Sequence, residues 1–118
     1  MIDYVSPIPA AVQLLDVRME IPVIGNSFPR EQTYPAVLLR AAGGTGYSRI
    51  QVISRAESDI DAELNMAKAI NLLERYAYLM EGIRVISCIR DSNPIPSIDD
   101  DTGKPEFWCY MRLEHLEG

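Results

Sequence analysis

Between residues 58 and 82 apolar side chains recur at spacings of three and four. Ile60, Leu64, Ala67, Ile70, Leu73, Ala77 and Met80 fall on one stripe of a helix. Ser58 stands where an N-cap is needed, and Asp59 and Asp61 occupy the first turn, where the helix dipole favours acids. Gly82 offers a left-handed stop. A long helix over about 58–81 is therefore expected, roughly 33 Å in length. Extended runs of nine or ten residues at ~3.3 Å each match that length, so the helix is cut to lie along a sheet.

The remaining elements follow from the same pattern. Residues 1–6 read as a loose arm. Pro7 and Pro9 open a shorter helix that runs to about Met19, with Ala11, Leu14, Leu15, Arg18 and Met19 on a less regular stripe. A short extended piece at 21–24 and a turn-rich loop lead to strands at 34–42 and 47–56, joined by a glycine hairpin at 43–46. Further strands are expected at 83–90 and 106–116, with 91–105 as a long Pro/Asp loop. Ile50 and Val52 alternate with Arg49, Gln51 and Arg55. Phe107, Cys109, Met111 and Leu113 share a face, with Trp108 and Tyr110 opposite. In 83–90, Ile83, Val85 and Ile89 share a face, with Ile86 and Cys88 on the other. The pattern predicts one α+β domain over 1–118, a mainly antiparallel sheet of about four strands with the long helix and the shorter N-terminal helix packed on it. Such a sheet is about 20 Å wide and one helix covers about 10 Å of it. The two helices together cover one face, which leaves Leu38, Ile86, Trp108 and Tyr110 for the N-terminal helix to cross over or for another subunit to shelter.

Charge narrows the partners. A net charge of −6 without a basic run argues against a protein that grips nucleic acid by its phosphates. No apolar stretch reaches the ~20 residues of a membrane span, and the opening MIDYVSPIP lacks the layout of a secretory signal. Cys88 and Cys109 lie in apolar runs and read as two buried reduced thiols, a disulfide between neighbouring strands being the alternative.

Chemistry-bearing constellations are few. His115 has no cysteine or carboxylate at ligand spacing. The run GlyGlyThrGlyTyrSer from Gly43 lacks the Lys-Ser/Thr end of a phosphate loop, and Asp101-Thr102-Gly103-Lys104 does not follow a strand and open a helix. Asp99, Asp100 and Asp101 could hold a hard cation such as Ca2+ but lack the alternating spacing and closing Glu of such loops, so a solvated turn is the plainer reading. No catalytic residue, cofactor or metal is expected, and the chain is read as a non-enzyme.

Several segments, in order, carry a resemblance. They are SPIPAAVQLLDVRM, Val23 to Gly25, Phe28 to Arg30, the Gly43-Gly44 strand end, the run RIQVISRAESDIDAELNMAKAINLL, and the tail PIPSIDDDTGKPEFWCYMRLEHL. Across nearly its whole length the chain resembles the bacteriophage tail terminator and tail-completion (head–tail joining) proteins of siphophages, the small ring-forming family that includes the lambda tail terminator. It departs at Ser54-Arg55-Ala56, where relatives often carry an aromatic. The resemblance implies a structural virion protein at the tail–head joint, assembled in the bacterial cytoplasm. It would form a homo-oligomeric ring, usually a hexamer, that caps the tail tube, stops its polymerisation and joins the head connector. DNA would be passing cargo only, and acidity suits a lumen that must not hold phosphates. A head-completion or connector-stopper subunit is the alternative, and a small ligand-binding α+β domain is a further one. Interface candidates are Asp99, Asp100, Asp101 and Lys104 in the long loop, Arg30 and Glu31 in the earlier loop, Tyr47 beside the hairpin, and Trp108 and Tyr110 for packing between subunits.

Overall fold

A computed structural model of the chain describes residues 4–116, so the first three residues of the expected arm lie outside the described residues. The elements are α1 (Ile8–Asp16), β1 (Val23–Gly25), β2 (Ala36–Ala41), β3 (Ser48–Arg55), α2 (Asp59–Tyr76), β4 (Arg84–Arg90), β5 (Ile95–Ile98) and β6 (Pro105–Leu116). The class is α+β and the sheet is mostly antiparallel, as expected. It holds six strands among the described residues, where about four were expected. Strand order is β1-β2-β3-β6-β4, with β5 paired to β6 beside β4. The short β1 runs parallel to β2. The long β6 is the spine: β3 pairs along one side of it, while β5 and β4 share the other.

The expected loop at 91–105 is corrected by β5. Pro94 and Pro96 argue for a loop in sequence, but Pro96 sits in an edge strand, where a missing N–H costs no ladder bond on the open side. The hairpin from β2 to β3 turns at Gly43–Gly46 as expected. Gly44 has φ 114°, and a Cβ there would collide with the Tyr47 carbonyl oxygen.

The long helix starts as its sequence predicts. Ser58 is extended, and its hydroxyl accepts the Asp61 N–H at 3.2 Å. It ends earlier than expected, at Tyr76, and one tighter turn at Ala77–Leu79 follows. Gly82, with φ 78°, turns the chain into β4 instead of stopping α2. The packed stripe is as expected at Ile70, Leu73, Ala77 and Met80 and is corrected only in its first half. Ala62, Met66, Ala69, Ile70 and Leu73 are buried, while Ile60 is 68% and Leu64 62% exposed. Ala62 and Ala69 have small side chains that let the helix approach the sheet, and Met66 and Leu73 fill the space between. Ala67 is exposed with Ile60 and Leu64, so their stripe faces solvent.

A bulge corrects the strand phase at 84–90. The register of β4 on β6 shifts between Val85 and Ser87, which reverses the alternation. Val85 and Cys88 both turn toward the core, and Ile89 lies opposite Arg112 on the other face. Both helices cover one face of the sheet. Ile8, Ala11, Leu14 and Leu15 of α1 and Met66, Ile70 and Leu73 of α2 share one core with Val37, Leu39, Ile50, Val52, Met111 and Leu113. That core decides the placement of α1: it stays on the side of α2. Among the described residues no helix is long and apolar enough to cross a membrane.

Candidate functional site on the open sheet face

On the face without helices, strand register builds rows of side chains. Ala36, Arg55, Glu106 and Ser97 lie in line across β2, β3, β6 and β5. The next row holds Leu38, Ile53, Trp108 and Ile95, and the one after it Arg40, Gln51 and Tyr110. Each row places groups of matched chemistry one strand spacing apart, which is why they bond.

The first row is a buried ionic network. Glu106 is 3% exposed, and Arg55 donates to it from Nε at 2.9 Å and from Nη2 at 2.8 Å. Arg55 also donates to the Tyr34 hydroxyl at 3.0 Å and to Asp99 at 3.2 Å, and its guanidinium lies over the Phe28 ring at 4.7 Å. Burial by itself pulls the Arg55 pKa down, but the bonds to Tyr34 and Glu106 outweigh it and hold the pKa above its ordinary value. The second oxygen of Glu106 accepts the Trp108 indole N–H at 2.7 Å. In the third row Arg40 donates to Gln51 at 2.6 Å, and Gln51 donates to the Tyr110 hydroxyl at 3.3 Å.

Loop 26–35 folds back over these rows. Phe28 and Tyr34 meet edge to face at 5.4 Å, both beside Arg55. As a result Leu38 and Ile53 are 3% and 4% exposed, which corrects the expectation that Leu38 lies bare. Between this loop and the β5–β6 turn lies a cleft of about 720 Å3. Leu38, Ile53 and Trp108 form its apolar floor, with Arg30 and Arg40 on one wall and Asp99, Asp101 and Thr102 on the other. Arg30 and Arg40 make no ion pair among the described residues. The chemistry available is recognition: an aromatic floor, two open guanidiniums and an acidic lip.

The structure gathers some of the candidates and separates others. Arg30, Asp99, Asp101 and Trp108 share the cleft. Glu31 and Asp100 are exposed and outside its lining. Lys104 pairs with Glu57 at 2.9 Å, beside the start of α2. Tyr47 packs under the Arg112 guanidinium at 3.9 Å, away from the cleft, and Tyr110 lies half-buried beneath Arg49. Asp99 accepts the N–H and the hydroxyl of Thr102, each at 2.8 Å. The Thr102 hydroxyl bond above all holds its carboxyl below the usual carboxylate range. The Asp99 carboxylate is thus engaged in turn formation and with Arg55. Among the described residues no group of three His, Cys, Asp or Glu is placed to hold a metal.

Sequence reading missed Arg55, Glu106, Tyr34, Phe28 and Arg40 as members of one site. The available signal was charge at two strand ends that are otherwise apolar, Arg55 and Glu106, but their pairing depends on register. It also missed that Ser48 and His115 share a hydrogen bond at 2.8 Å. Ser48 is 8% exposed, and the buried His115 Nδ1 has no partner among the described residues. Cys88 and Cys109 are free and buried. Burial pushes their thiols up to about 12 and about 11.

Comparison with protein-family models and with curated protein sequences finds no match. The functional reading therefore rests on residue order and on the geometry of the open face.

Proposed function

We propose that this chain is a ring-forming structural protein of a phage tail. It caps the tail tube, ends tube polymerisation and forms the joint to the head connector. The observation that carries this reading is the asymmetry of the sheet. Both helices lie on one face, while the other presents a cleft with an aromatic floor and two guanidiniums free of ion pairs. A surface of that kind fits a protein partner, because aromatic and Arg side chains are enriched at the centres of interfaces. The order of segments along the chain, from SPIPAAVQ to the final DDDTGKPEFWCY, supports the phage assignment by resemblance. In this reading Arg30 and Trp108 meet the tube or the connector, DNA passes without being held, and the protein resides in the virion.

Negative-stain microscopy of purified tail tubes mixed with the protein tests it. The expected result is a stain-distinct ring at one tube end and no further growth on adding tube protein. Tubes that keep growing overturn the capping role. Co-purification with capsids in place of tubes moves the protein to the alternative role of a head-completion subunit. A small-ligand reading draws only on the cleft volume, which lies within the ~300–1,000 Å3 of ligand sites. Saturable binding of a metabolite there, without affinity for tubes or capsids, selects it.

A further inference from the structure

The outward stripe of α2 was read in sequence as core, and in the structure nothing among the described residues covers it. Ile60 and Leu64 are 68% and 62% exposed, and Asp59, Asp61 and Glu63 surround them without an ion pair. Elsewhere on the molecule, β4 is the last strand on its side of the sheet and carries a second bare apolar pair. Ile86 and Ile89 are 64% and 54% exposed. The charged residues of β4 are both arginines, Arg84 and Arg90. Arg84 makes no ion pair among the described residues, and Arg90 makes only an exposed one with Glu74 at 3.3 Å. The first patch is thus rimmed mainly by acids, with Lys68 one turn from Leu64; the second has Arg84 without an ion pair among the described residues and Arg112 paired to Glu114 on its own face, with Arg90 on the helix side.

That complementarity bears on how two copies meet. A two-fold contact centred on either patch would set acid rim against acid rim, or arginine against arginine. A head-to-tail contact sets unlike charges together and buries both apolar pairs at once. We propose that the Ile60–Leu64 stripe of α2 is the surface that receives the Ile86–Ile89 edge of β4 from a second copy of this chain. Repeated from copy to copy, this is a heterologous interface, the kind that closes into a ring. It deepens the ring reading by naming the surfaces that meet, and it leaves the cleft free for the tube or the connector.

Two variants, each blocking one side, test it. Leu64→Asp leaves the β4 edge intact and Ile86→Asp leaves the helix stripe intact. Size-exclusion chromatography with light scattering is expected to show wild type as an assembly that weakens with added salt. Each variant alone is expected to run as a monomer. An equimolar mixture is expected to double in mass, because one intact edge then meets one intact stripe. Thermal unfolding followed by circular dichroism should match wild type, since both positions are exposed. If either variant unfolds, Ile60→Glu or Ile89→Glu replaces it. The inference is overturned if wild type stays monomeric at about 1 mM. It is equally overturned if either variant assembles like wild type, or if the mixture fails to dimerise. Tube capping by variants that no longer assemble would sink the interface while keeping the proposed role. Assembly without affinity for tubes would do the reverse.

Discussion

The two faces of this sheet are closed by opposite means. On the helix side Leu39, Val52, Met111 and Leu113 are fully buried against α1 and α2, and shape and area do the work. On the other side the same strands present Arg55, Glu106, Arg40, Gln51 and Tyr110, held in register by hydrogen bonds and partly roofed by Phe28 and Tyr34. An apolar face must be covered to be stable. A face of mutually satisfied polar groups can stay half open and remain available to a partner. The sheet thus gains most of its stability from one side and offers the other for recognition.

The largest effect that separates the faces is a cavity in the sealed one. Leu39→Ala is expected to cost about 3 kcal/mol and to lower the melting temperature by roughly 10 °C. Urea unfolding with an unchanged slope is the check. A loss under about 1 kcal/mol would mean that the helix side is not the main source of stability.

Next comes the buried pair on the open face. Glu106→Ala leaves Arg55 with Asp99 as its one carboxylate, beside the Tyr34 hydroxyl, and takes the acceptor from Trp108, at an expected cost of about 2 kcal/mol. The double change Arg55→Met with Glu106→Leu should cost less than the single one, because no guanidinium is then left uncompensated. Parallel denaturation curves decide this. A double variant that is worse than the single would show that the pair adds net stability beyond satisfying itself.

The thiols give the helix face a pH dependence of its own. Cys88 and Cys109 hold their protons up to about 12 and about 11 when folded, mainly through burial. An unfolded thiol loses its proton near pH ~8.5. Above that value the unfolded chain binds fewer protons than the folded one, so stability falls as pH rises until the folded thiols titrate. About 2 kcal/mol per thiol should be lost by about pH 10. Unfolding at pH ~8 and pH ~10 measures it, and the same interval should cost less in a Cys88→Ala, Cys109→Ala variant. Equal slopes in the two proteins would put the loss elsewhere.

The contrast between the faces also marks what could be read from sequence. The strands at 34–42, 47–56 and 106–116 are apolar runs bounded by turn formers, and they appear within about two residues of their expected bounds. α2 announced its start through Ser58, but the first half of its buried face was misread. Ile70, Leu73, Ala77 and Met80 are buried as their spacing predicts, but nearer the start Ile60, Leu64 and Ala67 obey the same three-four spacing as Ala62, Met66 and Ala69, and bulk favours the wrong set. β5 was hidden by its prolines. The bulge at Val85–Ser87 was invisible because one extra residue leaves no mark on composition. Arg30, Asp99 and Asp101, loop candidates by exposure and composition, share a cleft with Trp108, the candidate for packing between subunits. The Arg55–Glu106 network beneath them depends on which strands pair in which register, and no local pattern states that.

The finest contrast is a single hydroxyl on the wrong side. Ser54 is fully buried in β3 on the helix face, in line with Val37 and Phe107, and its Oγ has no partner among the described residues. A buried hydroxyl without a partner costs about 1–3 kcal/mol, whereas deleting one oxygen leaves only a small void. Ser54→Ala should therefore stabilise the protein by about 0.5–1 kcal/mol and raise its melting temperature by a few degrees, a gain at a position where core truncations ordinarily lose. The equivalent deletion on the open face, Gln51→Ala, should lose stability instead, since it strips partners from both Arg40 and Tyr110. Calorimetry of the two variants side by side reads the sign directly. Equal losses at both positions would mean that Ser54 is hydrogen-bonded in solution, and that the two faces follow one rule after all.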